Sequence, residues 1–105
     1  MTAAPGWREL WVVDGGGSRR PALVLTRPEI VDRLDRVLVA LATTTIRHLP
    51  SEVGIGPDEG VAVECVLNLD TPELLSRHRF VEYVGEFPLD RWHEVCAALS
   101  AAINC

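Results

Sequence analysis

Up to about residue 88 the chain alternates short apolar runs with clusters of glycine, proline and charge, and beyond that point the apolar period lengthens. "ELWVV" (9–13) and "PALVLT" (21–26) flank Asp14, the glycines at 15–17 and Ser18, and two apolar runs around a glycine-rich break predict a hairpin. No helical pattern follows those glycines, and their spacing fits neither a P-loop nor a dinucleotide fingerprint, so they read as a flexible connection. In "RPEIVDRLD" (27–35), Ile30, Val31 and Leu34 fall at helical spacing after Pro28, which predicts one or two turns of helix. "RVLVALAT" (36–43) reads as a buried strand, "SEVGI" (51–55) as a short one, "GPDEG" (56–60) as a turn, and "VAVECVLNL" (61–69) and "RFVEYVGEF" (79–87) as further strands.

From Leu89 the period is helical. Leu89, Trp92, Val95, Cys96, Leu99 and Ile103 share one face, with Asp90, Arg91, Glu94 and Ser100 elsewhere, which predicts an amphipathic C-terminal helix. Five or six short strands, a short internal helix and a terminal helix suggest a mainly β fold with helices: a small, strongly bent antiparallel sheet or half-open barrel. The 105 residues are the size of one domain, spanning 1–105, that can bury a modest core without a metal or disulfides. No stretch reaches the 18 or so consecutive apolar residues of a bilayer span, and "MTAAPGWREL" lacks the basic start and apolar run of a secretory signal. The expectation is a soluble, cytoplasmic protein with no membrane partner.

The formal charge of −5 argues against nonspecific coating of nucleic acid, which depends on many phosphate-neutralising cations. The charge is uneven, however. Residues 1–50 carry seven arginines against five acids, a balance of +2, while residues 51–105 carry three arginines against ten acids, a balance of −7. Every cationic side chain is arginine, so only planar, permanently charged guanidiniums are available to an anion. Cys65, Cys96 and Cys105 show no paired metal-ligand spacing and read as reduced packing residues. His48, His78 and His93 form no metal motif either, and all three read as surface residues, with His48 alone near a plausible site. The sequence calls for no cofactor.

Arg19 and Arg20 sit between the glycine-rich connection and a strand, where a side chain is anchored by the sheet and can still point into a mouth. Adjacent arginines there are most often solvated charge; the functional alternative is a clamp on phosphate oxygens. Thr43, Thr44 and Thr45 close a buried run, and threonine favours strands for structural reasons alone.

Taken together, these pieces resemble the MazF/PemK family of toxin endoribonucleases, the toxic halves of toxin-antitoxin pairs. "RELW" (8–11) resembles the family's opening strand motif, "RRPALVLTR" (19–27) its second-strand motif, and "VALATTTIRHLPSEV" (39–53) its third strand and loop. "VECVLNLDT", "YVGEF" and the terminal helix fill later positions more loosely. The resemblance implies an SH3-like small barrel of the MazF/PemK/CcdB type with a C-terminal amphipathic helix. It also implies a homodimer that cuts single-stranded RNA without metal through the 2′-hydroxyl, leaving 2′,3′-cyclic phosphate and 5′-hydroxyl ends. The partner it implies is a cognate MazE-like antitoxin with an acidic C-terminal tail that folds on binding.

Carried over by motif, Arg20 and Thr43 match the family's catalytic pair. Arg20 would stabilise the phosphorane and donate to the leaving 5′-oxygen, and Thr43 would orient the phosphate. Ser18, Arg19, Thr44, Arg47 and Asn68 would contact RNA. Two departures stand out. The first loop, "DGGGS", lacks the glutamate of the Gly-Ser-Glu-Gln stretch found in many relatives, which leaves the base unassigned, and Trp7-Arg8 stands where the family has Arg-Gly. The alternatives on the same fold are a gyrase-poisoning toxin, whose tryptophan-rich ending the terminal "AAINC" lacks, and a catalytically decayed antitoxin-binding protein.

Overall fold

The computed structural model describes residues 3–15 and 17–105, so Met1 and Thr2 of the N-terminal reading and Gly16 of the glycine-rich connection lie outside the described residues. Seven strands, β1 (Glu9–Asp14), β2 (Arg19–Val24), β3 (Arg36–Thr43), β4 (Glu52–Ile55), β5 (Cys65–Asn68), β6 (Glu73–Ser76) and β7 (Phe80–Glu86), precede one α-helix, α1 (Trp92–Ile103). They form an antiparallel sheet in the order β4-β5-β3-β2-β1-β7, with β6 also pairing β3.

The long strand β3 organises the sheet. Its first half pairs β6 (Arg36↔Ser76 to Val39↔Glu73), its middle pairs β2 (Val39↔Val24 to Leu41↔Ala22), and its end pairs β5 (Ala42↔Leu67, Thr43↔Val66). Side chains alternate across a strand. Leu23, Ala40 and Ala42 enter one apolar cluster with Leu10, Leu67 and Phe87, while Ala22, Val24, Val39 and Leu41 enter a second with Val13 and Phe80. Both faces of the sheet centre are therefore buried, which is why "VLVALA" is apolar without a break.

Two strands depart from the sequence reading. Residues 61–69 give only Cys65–Asn68, because the β4 partner runs out at Ile55↔Cys65 and a 3-10 turn at Pro57–Glu59 follows. β6 was not foreseen: "ELLS" is four residues long directly after Thr71-Pro72, and only its pairing with β3 makes it a strand.

The helices depart more. The expected helix at 27–35 is a single 3-10 turn, Val31–Arg33; Val31 is buried, but Leu34 faces outward, because three residues cannot carry a helical face as far as position 34. A 3-10 turn at Leu89–Arg91 leads into α1. Val95 and Ala98 are buried there and Trp92 and Leu99 pack against the core, whereas Leu89, Cys96 and Ile103 are exposed. The buried stripe is narrower than predicted: Val95 and Ala98, three apart, define the face against the core, and Cys96, one residue round from Val95, lies outside it. Cys65 is the buried thiol expected, and Cys105 is exposed. Trp92 meets Trp7 edge to face at 5.1 Å and Phe87 at 6.3 Å, tying α1 to the start of β1 and the end of β7.

Arg91 fastens the helix to the sheet. Its guanidinium donates to Glu94 at 2.8 Å, to Glu59 at 3.1 Å and to the carbonyl of Gly54 in β4 at 2.8 Å, and lies 5.1 Å over the Phe87 ring. The hydrogen bond from Arg91 holds the Glu94 carboxyl below its ordinary value, against a smaller opposing effect of burial.

Candidate active site

The β1–β2 register places Val13 opposite Arg20 and Val12 opposite Pro21. In the next pair the last partners are Ala22 and Leu41, and continuing that register by two residues sets Arg20 across from Thr43. The β2–β3 ladder ends before that pair, while Thr43 pairs with Val66 of β5 along the edge of β3 opposite β2. Beside the end of the ladder lies an open cavity of about 740 Å³ bordered by Arg19, Arg20, Thr43 and Thr44, with Val12, Pro21 and Ala42 among its apolar wall. Arg20 also borders an adjoining groove that contains Arg36 and Arg79.

The chain leaves β3 in a tight bend. The Thr43 hydroxyl accepts a hydrogen bond from the Thr45 N–H at 3.2 Å, a side-chain turn that competes with continuing the strand. Residues 44–50 then form an exposed loop whose backbone is gathered by Glu52: its carboxylate accepts from the N–H groups of Arg47 and Leu49, each at 3.2 Å. His48 takes φ 56°, which this bend requires.

Of the residues carried over from sequence, Arg19, Arg20, Thr43 and Thr44 come together at the cavity. The other three lie outside its lining. Ser18 is exposed in the β1–β2 connection, where its carbonyl accepts from the Gly15 N–H at 3.1 Å. Arg47 projects from the exposed loop. Asn68 ends β5 opposite Glu52, and its side-chain oxygen accepts from the Asp70 N–H at 2.8 Å, which closes a local turn. All three histidines are exposed, and His48 borders a different cavity, with Glu52 and Arg91. Among the described residues no group of His, Cys, Asp and Glu side chains could hold a metal ion, and no helix is long and apolar enough to cross a membrane.

The far wall was not foreseen. Glu82, Tyr83 and Val84 of β7 reach the cavity, as do Gly60 and Val61. The available signal was an acid inside the otherwise apolar "FVEYV", a costly choice for a strand unless that face meets water. Cys65 borders the cavity, and burial, reinforced by Glu59, pushes its thiol up, which disfavours the reactive thiolate.

The doublet Trp7-Arg8 also has a structural account. Arg8 adopts φ 68°, the left-handed region a glycine enters freely, which is where the family motif has glycine. Its side chain compensates: the guanidinium donates to the carbonyl of Phe87, approaches Glu86 at 3.6 Å and lies 5.2 Å over the Trp7 ring, although its buried Nε finds no acceptor.

Comparison with known proteins agrees with this fold. Residues 9–103 match the family described as PemK-like, MazF-like toxin of type II toxin-antitoxin system. A probable endoribonuclease MazF5 of Mycobacterium tuberculosis is 38% identical over 107 residues, covering 100% of this chain and 98% of its own length. Among solved structures, Mycobacterium tuberculosis toxin MazF-mt6 superposes with a TM-score of 0.86 at 25% identity, covering 92% of this chain and 97% of that one. An endoribonuclease in complex with its cognate antitoxin, from a mycobacterial species, superposes with a TM-score of 0.83 at 25% identity, covering 96% of each chain.

Proposed function

Because the chain belongs to the PemK-like, MazF-like toxins of type II toxin-antitoxin systems, we propose that it is a toxin endoribonuclease and that it cuts single-stranded RNA in the cavity between Arg20 and Thr43. The observation that carries this reading is that the β2–β3 register, continued two residues, aligns Arg20 with Thr43, and both border one open cavity.

The chemistry suits those two groups. RNA supplies its own nucleophile. The 2′-hydroxyl loses its proton, its oxygen bonds to the adjacent phosphorus, and the bond to the 5′-oxygen breaks, leaving a 2′,3′-cyclic phosphate and a 5′-hydroxyl. The enzyme has to align that attack and stabilise the charge that accumulates on the phosphorane oxygens. Arg20, whose guanidinium remains protonated, presents a planar fork to two such oxygens and holds the departing 5′-oxygen, which takes its proton from water. The Thr43 hydroxyl, already accepting from the Thr45 N–H, keeps its own proton free to donate to the phosphate. No step calls for a metal.

Arg19 and Thr44 extend the contact along the RNA backbone, with Ser18, Arg47 and Asn68 on its approaches. The open mouth favours an unpaired strand whose bases can splay outward. The partners assigned with the family are a second copy of the chain, in a homodimer, and an acidic MazE-like antitoxin tail drawn to the same arginines; the compartment is the cytoplasm. The test is to incubate purified protein with a long unstructured RNA in EDTA. Cleavage that Arg20→Ala abolishes is expected. Intact RNA, or cleavage unchanged in Arg20→Ala, contradicts the reading.

A further inference from the structure

The sheet face that carries Pro21 holds a carboxylate the cleavage step does not use. Glu82 pairs with Val12, and Val12 with Pro21, so the three stand in one row across β7, β1 and β2 and share a face. Arg20, one residue along β2, belongs to the opposite face, and Arg19 returns to that of Pro21.

The chain after Gly60 roofs this face. Gly60 sits so close to β7 that a β-carbon there would stand 3.1 Å from Val84 Cγ1, while Val66 pairs with Thr43 at the end of β3. The segment between them therefore crosses from β7 to β3, and its Val61 and Cys65 join the apolar cluster of Leu23 and Ala42. Between roof and sheet lies the cavity of about 740 Å³, with Val12, Pro21 and Ala42 along its sheet side.

We infer that this cavity takes one nucleobase of the RNA and that Glu82 reads it, selecting a base with an exocyclic amino group over uracil. The assignment rests on the endoribonuclease reading above. The volume is that of a small-molecule site, and apolar walls suit the faces of a flat ring. Among the described residues Glu82 is the one carboxylate bordering the cavity, and neither it nor Arg19 has an ion-pair partner. An ionised carboxylate only accepts hydrogen bonds. The amino group of adenine, cytosine or guanine donates to it, whereas uracil sets its one N–H between two carbonyl oxygens, which a carboxylate repels. The same charge disfavours an acidic peptide as the occupant.

The path of the RNA fits as well. Arg20 and Thr43 border the cavity near the start of β2 and the end of β3, and Arg19 carries the backbone contact round to the cavity's own face. A phosphate held at that rim leaves a neighbouring base to turn in beneath the roof, as the splayed bases of single-stranded RNA do when their edges are read.

The experiment maps the cut in a long unstructured RNA, then measures single-turnover cleavage of short RNAs in which each position flanking the cut carries A, C, G or U in turn. Wild type and Glu82→Gln are compared through the ratio of rates between bases, read within each protein, so that a change in folding or in overall rate cancels. Wild type is expected to favour an amino-bearing base over uracil at one position by roughly 10- to 100-fold, the discrimination of a good base-edge contact. Glu82→Gln, whose amide donates as well as accepts, should shrink that ratio by about tenfold there and leave the ratios at other positions in place. A wild type indifferent to uracil at every position, equal preferences in the two proteins, or a change spread evenly over all positions overturns the assignment. Should wild type cut RNA that Arg20→Ala leaves intact while Glu82→Gln keeps every preference, only the base pocket fails. Should wild type leave RNA intact, the endoribonuclease reading fails with it.

Discussion

The β2–β3 register, continued two residues past its last pair Ala22↔Leu41, sets Arg20 across from Thr43, and each residue belongs to a strand of the sheet rather than to a flexible loop. Groups held on strands lose little freedom when a charged transition state forms between them. Thr43→Ala should therefore slow cleavage by about 10²-fold with little effect on folding, because Thr43 is only half-buried at a strand end. Thr43→Ser should keep most of the activity. Arg20→Lys should behave nearly as badly as Arg20→Ala, since an ammonium cannot reproduce the planar fork. Single-turnover rates, with melting temperatures alongside, check all four.

Gly60 sits at φ 93° beside the same cavity, and a β-carbon there would meet Val84 Cγ1 at 3.1 Å. Gly60→Ala combines a strained backbone with a crowded neighbour and should destabilise the protein by about 1–3 kcal/mol. Urea denaturation measures it. An unchanged midpoint would mean that this turn relaxes freely.

Position 8 permits a sharper comparison. Arg8 bears the strain of φ 68° and offsets it through Phe87, Glu86 and Trp7. Alanine keeps the strain and loses the contacts; glycine loses both. Arg8→Gly should therefore be more stable than Arg8→Ala by about 1 kcal/mol, measured as the difference between their denaturation midpoints.

Glu94 gives the acid response of the helix dock. Its folded value is lowered by Arg91, so its contribution is present above the ordinary carboxylate value of 4.5 and fades as pH falls through the lower folded value. The side chain is more than a third exposed, which screens the pair and keeps the effect below about 1 kcal/mol. Stability curves of wild type and Glu94→Gln should thus differ at pH 7 and draw together as pH falls from the ordinary carboxylate value of 4.5 through the lower folded value. A gap that does not narrow as pH falls through that range would contradict this.

What could be read from the sequence follows the range of the physics involved. β3 was legible because burial on both faces writes itself as an unbroken apolar run, and the β1–β2 hairpin because its break is local. Arg20 and Thr43 were legible through motifs that each strand carries by itself. β6 was not, since four residues become a strand only beside β3. Cys96 was misplaced because the apolar pattern of α1 is wider than the Val95/Ala98 face that the core buries. Glu82 went unread because β7 meets β2 only through β1, and no periodicity within "RFVEYVGEF" reveals which strands lie beside it. The carboxylate of Glu52, which gathers the 44–50 loop through two backbone N–H groups, is equally invisible in one dimension.

The central claim is that Arg20 and Thr43 catalyse attack by the RNA's own 2′-hydroxyl, and the ends of the fragments report on it directly. Purified protein is incubated with unstructured RNA in EDTA, and the fragments are offered to polynucleotide kinase with and without prior phosphatase treatment, while their 3′ termini are analysed by mass. The prediction is 5′ ends that label without phosphatase and 3′ termini of cyclic-phosphate mass, both absent with Arg20→Ala or Thr43→Ala. Fragments bearing 5′-phosphates, or the same fragments from either variant, would contradict it.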